Sequence, residues 1–300
     1  MNFFKTTSPH HLGKLQLILA MFFAGSTIVL GKILTATLPI FLISFLTLLV
    51  AFTTLLPATF NHRKTLRKLS PRQWMYISMQ GLCGIVLFRI LTLYGLKYTG
   101  AVEAGLILGT TPAVLTILSA IFLKELPGLP GLMGISCAVF GMMFLNLASA
   151  ETTGPSTLMG CLFVFGAVVV EAAFTVFRKK IAGQVDALPN TIGLTGISLV
   201  LVFPFAVNDY FTYGFFPGLM DALAILYYGI FGTVIAYLLW TNGVGKVSSE
   251  TAGIATAAMP LSSVLLGALM LHEPLGRLHL IGCIMVVTGI VFNAIGQRTR

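Results

Sequence analysis

Residues 95–144 read GLKYTGAVEAGLILGTTPAVLTILSAIFLKELPGLPGLMGISCAVFGMMF, and residues 243–292 read GVGKVSSETAGIATAAMPLSSVLLGALMLHEPLGRLHLIGCIMVVTGIVF. A shift of 148 residues, without a gap, lays Gly95 on Gly243, Ala104 on Ala252, Gly105 on Gly253, Pro112 on Pro260, Leu123 on Leu271 and Glu125 on Glu273. The register continues with Leu132 on Leu280, Gly134 on Gly282, Gly141 on Gly289 and Phe144 on Phe292. Glycine and proline are uncommon enough in apolar segments that composition alone seldom aligns so many of them. The chain therefore reads as a duplicated unit, residues 1–150 and 151–300.

Composition names the medium. Hydrophobic residues fill 57% of the 300 positions and charged residues 9%, against roughly 25% charged in a soluble domain. So little charge cannot cover a water-facing surface, and apolar runs of this length follow one another along the chain, so the sequence predicts an integral membrane protein in contact with the lipid bilayer. The formal charge of +9 does not point to nucleic acid, because the basic residues cluster in short connections between apolar spans. Cys83, Cys137, Cys161 and Cys283 lie inside apolar runs without the spacing of a metal site or a disulfide framework. No metal or cofactor is expected.

Ten spans can be marked, at about 13–35, 38–57, 72–96, 101–122, 129–149, 157–178, 190–207, 218–240, 249–271 and 277–296. Each is close to the ~20 residues an α-helix needs to cross the hydrocarbon. The longest basic connection runs from Asn61 to Arg72 and carries Arg63, Lys64, Arg67 and Lys68; Arg178, Lys179 and Lys180 form the next cluster. With the amino terminus inside, fourteen of the eighteen Lys and Arg are cytoplasmic, Lys32, Lys97 and Arg277 are outside, and Arg89 is within a span. That bias places both termini in the cytoplasm. Five spans per unit is odd, so the second unit enters from the opposite face. The expectation is an all-α membrane protein of ten transmembrane helices arranged as two inverted five-helix repeats, an arrangement suited to alternating access around a central site.

These residues resemble the drug/metabolite transporter superfamily, in its EamA-type branch. The resemblance is carried by Ala104–Gly105, Pro112 and Leu123–Lys124–Glu125, by Ala252–Gly253, Pro260 and Leu271–His272–Glu273, and by Gly232–Thr233, Ala236 to Trp240 and Gly243–Val244 in the eighth span. It implies ten-helix carriers of the bacterial inner (cytoplasmic) membrane, with efflux of a small metabolite such as an amino acid or related compound. The chain departs from the family pattern in the first span, where Ala24–Gly25 replaces Trp–Gly, and in the sixth, where Glu171 stands in place of a common Trp.

Ionisable groups within the bilayer cost ~2.5–3.5 kcal/mol on insertion scales, and two sit well inside spans. Arg89 lies about 25 Å from the cytoplasmic face and Glu171 about 9 Å from it, at 1.5 Å per residue, so a direct pair is not expected. Arg89 pairs with Glu103 across the turn at Lys97–Gly100, snorkels towards the membrane edge, or meets substrate. Glu171 has no basic neighbour within a helical turn and is expected beside Gln80, Thr233 and Tyr237. A carboxyl held among uncharged groups favours its neutral form, which suits proton or amine binding, and a hydrogen-bonded packing role competes with that. The candidate substrate-binding residues are thus Gln80, Arg89, Glu171, Thr233 and Tyr237. Trp240 is expected to anchor the inner membrane face.

The glycines of the fifth and tenth spans recur every seven residues and predict close helix packing, within the protomer or across a homodimer. An intramembrane enzyme and a channel are the rival classes. The histidines all lie at or beyond the membrane edge and no G-x-S-x-G run occurs, and the two inverted halves offer no filter segment, so no catalytic residue is assigned. With the basic connections inside, reporters at residues 66 and 300 are expected to be cytoplasmic and reporters at 153 and 212 external. A cytoplasmic signal at 153 overturns the inverted arrangement.

Overall fold

The computed structural model describes residues 9–35, 37–98, 107–108, 110–148, 158–214, 217–270 and 277–296. Among these residues every regular element is helical. Among the described residues, five helices are long and apolar enough to cross a membrane: Ile40–Lys68, Pro71–Thr92, Leu158–Lys180, Ala187–Tyr213 and Leu219–Val244. Shorter apolar helices occur at Thr111–Leu123, Gly131–Gly141 and Leu280–Gly289.

In chain order, α1 is Pro9–Thr35 and α2 is Ile40–Lys68. Helix α3 starts as Pro71–Gly81, widens into a π-helical stretch at Leu82–Leu87 and ends as Phe88–Tyr98. Then come α4 (Thr111–Leu123), α5 (Leu129–Ala148), α6 (Leu158–Lys180) and α7 (Ala187–Tyr213). Helix α8 repeats the plan of α3, with Leu219–Tyr227, a π-helical stretch Tyr228–Ile235, and Ala236–Val244. Helix α9 comprises Ser249–Thr256 and Ala258–Met270, and α10 is Arg277–Gly296.

Two expectations about boundaries need correction. The basic stretch from Asn61 to Arg72 is not a loop, because α2 continues to Lys68 and only Leu69 and Ser70 separate it from α3. No helix breaker stands between Asn61 and Lys68, so the helix projects past its apolar part and carries the charges on its last turns. It stops where Ser70 accepts from the Gln73 N–H, donates its own N–H to Gln73 Oε1 at 2.8 Å and precedes Pro71, a capping box that starts α3. The short span at 190–207 is in fact a 27-residue helix, with Pro204 tolerated inside it.

The offset of 148 residues reappears in the packing. Helix α5 lies along α10 and α2 along α7; α6 packs on α3 and α4 as α1 packs on α8 and α9. The positions 148 beyond the first π stretch, 230–235, fall inside the second. Gly84 in the first stretch sits against the Phe174 ring of α6, and its counterpart Gly232 in the second sits against Thr27 of α1. Gly81 faces Leu194 and Ser198 of α7, and its counterpart Gly229 faces Thr47 and Val50 of α2. Contacts of this kind hold helices together where lipid offers no hydrophobic incentive to associate.

The glycines of α5 and α10 face each other within the protomer. A Cβ at Gly141 would lie 2.8 Å from the Val286 backbone nitrogen and 3.0 Å from the Gly282 carbonyl. One at Gly289 would lie 2.8 Å from the Gly134 carbonyl and 3.1 Å from the Ala138 nitrogen. At both positions two of the three nearest atoms are backbone and cannot swing aside. Isoleucine at either position is therefore expected to cost about 1–3 kcal/mol, the scale of core overpacking, read as a lower yield of monodisperse protein and a lower unfolding temperature in detergent. Transport per folded molecule should fall less than yield; normal yield of the double substitution contradicts this packing.

Candidate functional site

A cavity of about 440 Å³ lies between α1, α2, α3, α4, α6, α8 and α9. That volume falls in the range of small-molecule sites. Its wall is mostly apolar, with Met21, Leu48, Ile85, Phe88, Leu115 and Phe174, and both π-helical stretches contribute to it through Gly84, Ile85, Tyr228, Gly232 and Thr233. A π turn is wider than an α turn and leaves backbone carbonyls poorly matched, which is one reason such stretches gather at functional sites.

Arg89, Glu171, Thr233 and Tyr237 all line this cavity. Arg89 Nη1 donates to Ser44 Oγ on α2, and Nη2 donates to the Tyr228 hydroxyl at 3.1 Å. The guanidinium also sits 5.8 Å from the centre of the Tyr228 ring, within cation–π range. Its partners among the described residues are thus neutral, and Glu103, the partner considered from sequence, lies outside the described residues. On another part of the wall, Glu171 Oε2 lies 3.4 Å from Thr111 Oγ1, whose hydroxyl is shared with the Leu108 carbonyl. No ion pair joins Arg89 to Glu171 among the described residues. The cavity spans several helical turns, so it exposes a cation and an acid on one surface while keeping them apart.

The 148-residue offset connects the polar positions. Tyr237 is the counterpart of Arg89. Arg89 reaches across to Tyr228 in the second π stretch, and Tyr237 donates its hydroxyl to the Gly84 carbonyl in the first, at 3.3 Å. The Tyr237 ring also meets Phe174 edge-on, with centroids 5.9 Å apart. Thr233 Oγ1 donates to the Tyr228 carbonyl at 3.3 Å, inside its own helix.

Gln80 does not line the cavity. It is fully buried and exchanges two hydrogen bonds with Asn190 of α7, at 3.2 and 2.9 Å. The reciprocal amide pair satisfies both side chains and ties α3 to α7. Trp240 is not an interfacial anchor: it is 4% exposed, lines the cavity, and its Nε1–H has no partner among the described residues. Its counterpart Thr92 also lines the cavity, with a hydroxyl that has no partner among the described residues. Ser44, Thr92, Thr111 and Tyr228 were not singled out from sequence. Extending the repeat from residues 95–144 back through α3 would have brought out Thr92 and Tyr228, which pair with Trp240 and Gln80; no periodicity or motif marks Ser44 or Thr111.

The sequence profile of the EamA-like transporter family matches residues 11–147 and again residues 158–295. The uncharacterized transporter YetK of Bacillus subtilis is 34% identical over 286 residues, covering 94% of this chain and 87% of its own length. The uncharacterized transporter YoaV of the same organism is 25% identical over 275 residues, covering 90% and 92%. A solved crystal structure superposes with a TM-score of 0.78 over 97% of this chain and 98% of its own, at 19% identity, a likeness of fold. The doubled profile match and the transporter relatives, together with the membrane-length helices around a central cavity, make this chain an integral membrane transporter that belongs to the EamA-like transporter family.

Proposed function

We propose that the chain is a secondary carrier in the cytoplasmic membrane that exports a small amphipathic metabolite of amino-acid type by alternating access. In this reading ten helices form two inverted repeats, residues 1–150 and 151–300, with both termini in the cytoplasm. The recurrence of packing at the 148-residue offset supports the duplication, and the placement of basic residues supports the orientation.

One observation carries the substrate reading: Arg89 and Glu171 line one largely apolar cavity without pairing with each other. Charges this deep are costly unless something answers them. Arg89 suits a carboxylate, which a guanidinium engages by charge-assisted hydrogen bonds. Glu171 suits an ammonium or a proton. The apolar wall between them fits a hydrocarbon or aromatic side chain, and the donors of Thr92 and Trp240, without a partner among the described residues, offer further hydrogen bonds to a bound molecule. In an exporter driven by an inward proton gradient, Glu171 takes a proton in one state of the cycle and gives it up in the other.

Counterflow in liposomes loaded with amino acids, using substrates found by comparing metabolites of cells lacking and overproducing the protein, tests the carrier. Glu171→Gln keeps size and hydrogen bonding but not titration, and is expected to abolish accumulation driven by a pH gradient while sparing exchange at equal pH. Continued accumulation in that variant removes Glu171 from coupling. Arg89→Gln is expected to weaken binding of the carboxylate substrate by about tenfold or more, the scale of a hydrogen bond to a charged group, with little effect on the matching amine that lacks a carboxylate. Equal losses for acid and amine contradict the assignment.

A further inference from the structure

One end of the bundle gathers the charged ends of α2 and α6, the start of α3 and the corner after α4, and is called here the basic end. Towards it the cavity stops at a packed layer of Leu17, Leu115, Trp240, Val244, Ala252 and Ala255. Leu115 and Trp240 face the cavity. Leu17, Val244 and Ala252 lie one turn or more nearer the basic end along their helices. Glycines tighten this layer: a Cβ at Gly243 would lie 2.9 Å from the Gly13 carbonyl.

Outside that layer sits Glu125. Helix α4 ends at Lys124, whose backbone is left-handed with φ 59, a conformation costly for a residue with a side chain. The turn aims Glu125 at the other half of the chain. Its two oxygens accept from Lys179 Nζ of α6, both at 2.9 Å, and Oε2 also accepts from the Ser249 N–H at 2.8 Å, at the start of α9. Beside it, Glu250 Oε2 accepts from the Gly128 N–H at 3.3 Å, next to the start of α5. Residues of the first half and the second half are thereby tied across the closed end of the cavity.

We propose that Glu125, Lys179 and the Ser249 amide form a latch that holds the basic end closed, and that opening this end during transport requires the latch to break. The inference rests on the carrier reading above. In the repeat register Glu273 corresponds to Glu125, Gly31 to Lys179 and Lys32 to Lys180. Burial alone would push the Glu125 carboxyl up; the Ser249 N–H and the Lys179 ammonium outweigh it and hold the group below its ordinary value. The carboxylate side of the latch is therefore lost only as pH falls through that lowered value, while burial holds the Lys179 ammonium below its own ordinary value, so the cation side is lost as pH rises through it.

The test uses the full-length protein with its four native cysteines replaced and Ala255→Cys introduced, in membrane vesicles exposing the basic end to a membrane-impermeant maleimide. Ala255 is 5% exposed in the closed layer. Lys179→Met is expected to raise the labelling rate about tenfold, the population shift set by one lost charge-assisted contact. Lys179→Arg should stay near the parent. Glu125→Gln, which can still accept from Ser249, is expected to give an intermediate rise and serves as the second variant if Lys179→Met folds poorly. Unchanged labelling in both Lys179→Met and Glu125→Gln at parental monodispersity overturns the latch, and so does an equal rise in Lys179→Arg. Counterflow measured on the same preparations separates the two readings. A labelling shift without flux in any preparation retains the latch and removes the carrier, whereas flux with unchanged labelling does the reverse.

Discussion

Helices immersed in hydrocarbon gain little by pressing apolar faces together, because lipid is as apolar as leucine. What holds them is contact too close for lipid to imitate. In this protein that contact occurs at glycines placed in repeat-related pairs: Gly141 and Gly289 between α5 and α10, Gly81 and Gly229 between the central helices and α7 or α2, and Gly84 and Gly232 beside the cavity. The first pair builds a stiff seam away from the cavity, and the others bring the cavity-lining helices into register. The cavity therefore has walls of nearly symmetric backbone and asymmetric chemistry, with Arg89 opposite Tyr237 in the register and Glu171 opposite Phe23.

Under the proposed carrier reading, that asymmetry bears on how a duplicated carrier handles a polar cargo. A backbone that repeats itself can exchange which end is open at small cost, since both arrangements draw on similar contacts. Side chains that do not repeat decide where the cargo sits and which arrangement is preferred. Here Arg89 and Glu171, the charged residues of the cavity, each belong to one half only.

Membrane class, helical content and the seven-residue glycine stripes were legible in the sequence because each follows from composition or period. Arg89 and Glu171 were legible because charge in an apolar span is conspicuous. The remaining features depend on direction around a helix. Gln80 and Arg89 share α3, yet one faces α7 and the other faces the cavity, with the π stretch between them altering the angle at which residues project. Trp240 reads as an interfacial anchor by its position near a span end, and only the packing of α1, α4 and α9 around it encloses it. The helical course of the basic stretch after Phe60 escaped a hydropathy reading, which tracks apolarity and not helix breakers.

The π-helical stretches also bear on how tolerant the chain is to changes in length. One residue advances an α-helix by about 100°. A π turn takes up one residue more than the α turn it replaces. Removing a single residue from 82–87 would therefore let that stretch close into an ordinary α turn with Gly81 and Arg89 near their present faces, whereas removing one from the α-helical part on either side would turn Arg89 off the cavity wall or pull Gly81 and Gln80 away from α7 by that angle. The same holds for Tyr237 against Gly229 in α8. A deletion within the π stretches is absorbed at the expense of their loosened carbonyls, while a deletion beside them rewrites the azimuth of half a helix.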